Sequence, residues 1–233
     1  LNALLTNTTG ANNTAVGVEA LKENTTADSN TAIGYLALKL NTTGNYNTAL
    51  GSGALAAITT GGEAVAIGYQ ALNKATGGYN VAIGYASQYD CTTGVNNVSA
   101  GHNSLQNLTT GNQNSAIGGS SLNNTTTGSY NQAMGYTAGN AITTGEYNTA
   151  IGHQAGDTIT TGNNCACVGN NADVSASGAV HQNVFGNKTS NGDNTFSVRA
   201  DSGAYNSANN SSWSTTSDRR IKKNITNNTT GLD

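Results

Sequence analysis

Apolar residues in this chain recur in a fixed phrase rather than in helical or strictly alternating runs. "NTAIGYLALKLNTTG", from Asn30 to Gly44, returns as "NTALGSGALAAITTG" from Asn47 and as "NSAIGGSSLNNTTTG" from Asn114. Aligned on the Gly after the aliphatic residue, the repeats are marked by Gly17, Gly34, Gly51, Gly68, Gly84, Gly101, Gly118, Gly135, Gly152, Gly169 and Gly186. Every step is 17 residues except Gly68 to Gly84, which is 16. A fixed period in this range predicts a solenoid, whose units pack only on their neighbours. The short repeat is read as lacking one residue between Leu72 and Thr76. A deletion there predicts an outer turn, because a strand would change face.

With the repeated Gly as position 0, Ala fills −2 (Ala15, Ala32, Ala49, Ala66, Ala82, Ala116, Ala133, Ala150). A larger side chain fills −1 (Val16, Ile33, Leu50, Ile67, Ile83, Ile117, Met134, Ile151, Val168). Neighbouring strand residues face opposite sides. Each coil therefore carries a strand with a small apolar column on one face and a large one on the other. Both columns call for burial, yet a coil has one inside. The second face predicts a further surface, supplied most simply by copies of the chain, three around an axis. A second small column at +3 (Ala20, Ala37, Ala54, Ala71, Ser104, Ser121, Ala138), often followed by Leu at +4, predicts a second short strand. Gly at −7, after Thr, predicts a turn closed to residues with a Cβ. Asn at −4 predicts a ladder of stacked side chains. Ala32, Ile33, Gly34, Asn47, Gly68, Ala116, Ile117 and Gly118 exemplify these structural columns. The expected class is all-β, a β-solenoid of about eleven coils, roughly 50 Å long at the usual strand spacing.

Composition narrows this further. Among 233 residues there are 30 Gly, no Pro and 9% charged residues, with 2 Phe, 1 Trp and 1 Met. An ordinary globular core is hard to build from that set. Disorder would suit the low hydrophobicity, but a disordered chain has no reason to hold columns in phase. The absence of Pro suits a backbone whose amides are committed to a ladder.

The phrases "NTAIGYLA", "NTALGSGA" and "NSAIGGSS" resemble the Asn-Ser-Val-Ala-Ile-Gly phrase in the heads of trimeric autotransporter adhesins, and similar repeats in tail fibres of phages and other viruses. That resemblance spans about residues 1–186. It implies a left-handed parallel β-roll assembled as a homotrimer; the longer period here implies larger outer turns.

Residues 187–212 leave the register. "NTFSVRADSGAYNSANNSSW" alternates like exposed strands and is expected to cap the roll. Residues 213–233 hold "SDRRIKKNI", which resembles the opening of the intramolecular chaperone domain of phage tail spikes and fibres. The resemblance implies trimer assembly followed by self-cleavage, with Ser217 and Lys222 as the catalytic pair. A Ser hydroxyl needs a base, and a Lys kept neutral by burial can serve. With few residues after Lys222, cleavage is expected only of a longer precursor. Arg219, Arg220, Lys222 and Lys223 read as a solvated cluster, and a net charge of −3 gives no nucleic-acid footprint.

Other chemistry is sparse. His102, His153 and His181 are too scattered to predict a metal site; the first two share column +1 with Tyr35, Tyr69, Tyr85 and Tyr136. Cys91, Cys165 and Cys167 form no disulfide framework, and Cys167 stands in the Ala column. Sequons at Asn7, Asn24, Asn41, Asn107, Asn124 and Asn187 also suit turns. Stacked Thr raises ice binding, but Thr-Thr neighbours would face opposite sides of a strand. No paired carboxylates or phosphate loop suggests an enzyme acting on an external substrate, and no cofactor is expected. No apolar run predicts membrane insertion, and lacking a signal peptide the chain reads as a mature or partial piece. The expectation is a structural fibre or shaft of a virion or an extracellular particle, a viral tail or receptor-binding fibre displaying a host- or surface-binding face. A microbial adhesin or filament subunit is the alternative. The expected partners are copies of itself and a cell-surface glycan or protein.

Overall fold

The structure is a computed structural model, and it describes residues 2–187, 189–190, 192, 196–198, 204–206 and 214–215. The repeat folds as one β-solenoid, with no helix among the described residues. Each coil contributes a three-residue strand at positions −3 to −1, from Thr14–Val16 and Thr31–Ile33 through to Asn183–Phe185. These eleven strands pair in parallel and in register, Ala32 opposite Ala49 and Ile33 opposite Leu50. Phe196–Val198 extends the parallel ladder, and Ala204–Asn206 and Ser214–Thr215 then add on antiparallel.

Strand alternation sorts the two apolar columns. Ala32, Ala49, Ala66, Ala82, Ala116 and Ala150 at −2 are fully buried, together with Leu21, Leu38, Leu55, Leu72, Leu105 and Leu122 at +4. Small Ala against large Leu across a thin coil fills the interior without aromatic residues. Cys167 takes the Ala place and Cys165 lies two residues earlier, both buried and neither in a disulfide.

The second strand expected at +3 and +4 is absent. Residues +2 and +4 adopt left-handed backbone, for example Leu36 (φ 59) and Leu38 (φ 51), so the segment forms two successive turns. The Ala37 amide donates to the Gly34 carbonyl (3.4 Å) and the Asn41 amide to the Leu38 carbonyl (3.2 Å). The turns still join the inter-coil ladder, as in the Leu38 amide donating to the Ala54 carbonyl (3.0 Å). Gly139 and Gly156 occupy this +4 position with φ 61 and 65, which explains why Gly replaces Leu there.

The two Gly columns differ in cause. At position 0 φ runs from 93 to 148, and a Cβ added at Gly101 would run into the carbonyl of the next coil's Gly118. At −7 the expected left-handed turn is absent: those glycines do not have positive φ. There the constraint is space, since a Cβ on Gly111 would meet the Gly128 carbonyl and the Leu108 side chain.

The Asn ladder at −4 is present and buried. Asn97 Oδ1 accepts the backbone amide (2.9 Å) and side-chain amide (3.1 Å) of Asn114, while Asn114 Nδ2 donates to the Gly128 carbonyl (2.9 Å). A second ladder at +7 joins Asn7, Asn24 and Asn41. It stops at Ile58, leaving Asn41 Oδ1 buried without a hydrogen bond. Asn24 and Asn41 are therefore core residues, and those two sequons present no exposed acceptor.

The missing residue of the short repeat lies later than the sequence reading placed it. The Ala75 amide donates to the Leu72 carbonyl as the Ile58 amide does to Leu55, and Ala75 is buried in the same column. Thr76 and Gly77 both donate to the Thr92 carbonyl, as Thr42 and Thr43 do to Thr59. The absent residue is the second Thr, between Thr76 and Gly77. That Thr doublet sits on a bend rather than a strand, so strand alternation does not assign its members to faces. The hydroxyl of the first Thr is committed to the ladder, as in Thr109 Oγ1 donating to the Thr126 carbonyl (3.0 Å).

Candidate functional site: the outer face of the sheet

Position −1 leaves its side chains in solvent. Ile33, Leu50, Ile83, Ile117, Met134, Ile151 and Phe185 are all exposed, Met134 by 51%. Parallel register stacks them in one file, because most strands repeat an inward Ala and an outward large apolar residue, as in Ala116 opposite Ala133 and Ile117 opposite Met134. Isolated exposed apolar residues are ordinary, but a continuous file of them marks an interaction surface. Ala100 interrupts the file, and beyond it Ser115, Ile117, Gln132, Ala133, Met134 and Ile151 line a groove of about 70 Å³.

Two exposed aromatic columns flank this file. At +1, Tyr69 stacks on Tyr85 (5.2 Å between centroids) and Tyr85 on His102 (5.1 Å); after a break at Gly119, Tyr136 stacks on His153 (5.8 Å). At −5, Tyr130 stacks on Tyr147 (4.7 Å). The parallel repeat sets these spacings, and offset stacking makes them favourable. His102 and His153 are thus ring members of the column, as expected, and no group of three His, Cys, Asp or Glu able to hold a metal ion occurs among the described residues.

Comparisons with known proteins returned no match. No family model fits the chain, nor does any curated protein or solved structure. The outer face therefore has to be read from its own chemistry.

Of the named columns, Ala32, Asn47 and Ala116 are buried, whereas Ile33 and Ile117 stand on the outer face. Gly34, Gly68 and Gly118 hold the backbone between the two, with φ of 140, 136 and 125. Ser217 and Lys222 lie outside the described residues. The sequence reading missed the break at Gly119, whose signal was a ring missing from column +1. It also passed over the charge gap from Cys91 to Gly145, which contains no Asp, Glu, Lys or Arg. Burial pushes the thiols of Cys91 and Cys167 up to about 12, leaving them protonated and poor nucleophiles at neutral pH.

Proposed function

We propose that the chain is a structural shaft that assembles as a homotrimer and displays a host- or surface-binding face, in the manner of a viral tail or receptor-binding fibre. The supporting observation is the file of large apolar side chains at position −1, exposed on most of the repeated strands and half-buried at Ile67 and Val168, on a solenoid whose interior is already complete. A strand ladder of about 50 Å with a width of 10–20 Å offers roughly 500–1,000 Å² per copy, comparable with the 800 Å² per partner of a stable interface. Three such faces around an axis bury one another and leave the Asn- and Thr-rich turns outward. Copies of the chain are the partner; assembly gives stiffness, and the repeat number sets length. On the resemblance of "SDRRIKKNI", a precursor continuing past Asp233 cuts itself with Ser217 as nucleophile and Lys222 as base. The site of action is a virion or the extracellular space.

Sedimentation equilibrium tests the assembly. The wild-type chain is expected at three times its mass, and Ile83→Lys with Ile117→Lys is expected to give a folded single chain, since both residues are exposed within one copy. A wild-type chain that stays a stable monomer at high concentration overturns the proposal.

A further inference from the structure

We propose that the buried polar cluster of Ser87, Gln88 and Ser99 is a register lock, fixing which coil stacks on which. All three side chains lie inside the solenoid, so the inference goes beyond the shaft reading and holds for any number of assembled copies.

The need for such a device follows from the repeat. Most coils carry the same inward Ala, the same Asn ladder and the same outward apolar residue. A chain that loops out one coil and stacks the next in its place therefore satisfies nearly every column. The slip forfeits one coil, and loop closure costs little more for a long loop than for a short one. Near-degenerate stackings then compete, the condition under which repeat chains misassemble. Register is settled where a coil carries a contact that its neighbours cannot supply.

The coils of Gly84 and Gly101 carry that contact. At +4, where six other coils bury Leu, Gln88 is fully buried; at −2, where eight coils place Ala, Ser99 is fully buried. The two departures meet across the junction between the coils. Gln88 Nε2 donates to Ser99 Oγ (2.8 Å) and to the Val81 carbonyl (2.9 Å), and the Ser87 and Ser99 hydroxyls share a hydrogen bond (2.5 Å). Stability does not account for the set. Gln88 Oε1 is buried with no hydrogen-bond partner, a cost that Leu in the other coils does not carry. Register does account for it. With the Gly101 coil looped out, Gln88 would face Ala116; with the Gly84 coil looped out, Ser99 would face Leu72. Either slip parts Gln88 from Ser99 and strips a buried polar group of a partner. A buried polar contact can in this way select one register while lowering stability. The cluster joins the fifth and sixth of the eleven coils, so it holds the middle of the roll, beside the single 16-residue step.

The test uses the whole chain, purified as expressed, in hydrogen exchange read by mass spectrometry. Ser87→Ala, Gln88→Leu and Ser99→Ala together install the residues that most other coils hold at these positions. This apolar variant is expected to unfold at a higher urea concentration than wild type. Its peptides from the Gly84 and Gly101 coils are expected to give two isotope envelopes, one protected and one exchanging as a looped-out coil. Wild type is expected to give one protected envelope in the same peptides. The cluster can then be rebuilt one junction later, with Leu105→Gln and Ala116→Ser beside Ser104, whose hydroxyl already reaches the Ala116 carbonyl (3.1 Å). That change should return the Gly101 coil to a single envelope and leave the Gly84 coil with two. A lower urea midpoint, single envelopes throughout the apolar variant, or no rescue of the Gly101 coil overturns the lock. An apolar variant that does not fold supports the lock only where the rebuilt cluster restores folding, and failure of both overturns it.

Discussion

At the residue scale, this fold depends on backbone conformations that most residues avoid. Coil after coil, from Gly17 to Gly152, contains left-handed residues at −5, +2 and +4, such as Glu63 (φ 59), Gln70 (φ 54) and Leu72 (φ 51). Left-handed backbone costs a residue with a Cβ about 1–2 kcal/mol, and Asn tolerates it better than Glu does. Glu63 is exposed and its amide donates to the Asn45 carbonyl in any case. Glu63→Asn is therefore expected to stabilise the chain by about 0.5–1 kcal/mol, read as a higher midpoint in urea. The opposite sign is expected at position 0. Gly101→Ala combines a backbone region closed to L side chains with a collision against the next coil's carbonyl, and should cost about 2–5 kcal/mol in the same measurement. The Asn column gives a third case. Asn114→Ala removes the acceptor for the buried Asn131 amide (3.0 Å), and an orphaned buried donor costs about 1–3 kcal/mol.

At the element scale, each coil is one strand followed by turns, and the legibility of the sequence divides along that line. The strand was legible because period-2 alternation assigns Ala and Ile to opposite faces, and parallel stacking makes every coil repeat the assignment. The +3 and +4 columns were misread as a strand because small-then-large apolar residues look alike in a strand and in a turn. The distinguishing sign was Gly139 and Gly156 in place of Leu, which marks left-handed backbone rather than lost packing. Gly119 was legible only as a ring missing from column +1; that the Tyr136 ring edge lies beside it is a matter of packing, which no pattern of residue types encodes. The corrected deletion site gives a sharp contrast. Inserting Thr between Thr76 and Gly77 restores the ordinary 17-residue coil and should leave the melting temperature almost unchanged. Inserting one residue between Leu72 and Ala75 displaces a fully buried column residue and should cost about 1–3 kcal/mol. Equal thermal melts for the two insertions would place the turn wrongly.

At the scale of the whole molecule, a solenoid unfolds as coupled neighbours, so a few buried groups report on long stretches of it. Cys91 and Cys167 lie in different parts of the ladder, and desolvation raises both thiols from 9.0 to about 12. In the unfolded chain each thiol loses its proton near its ordinary value, whereas the folded chain keeps it until far higher pH. The folded state therefore binds more protons across this window, and stability must fall as pH rises through it. Well below pH 9 these two groups make no difference, because both states are protonated; the loss sets in as pH nears 9 and grows to about 12. Chemical denaturation at pH 6, 7 and 10.5 should show a flat region between the first two and a lower midpoint at the third. Replacing both thiols with Ala, the residue that fills the Cys167 column in eight of the other coils, should remove much of that alkaline slope while the neutral-pH midpoint shifts only by the lost packing. A slope unchanged in the double variant would show that the thiols are not desolvated in the folded chain, and that this stretch of the interior admits water.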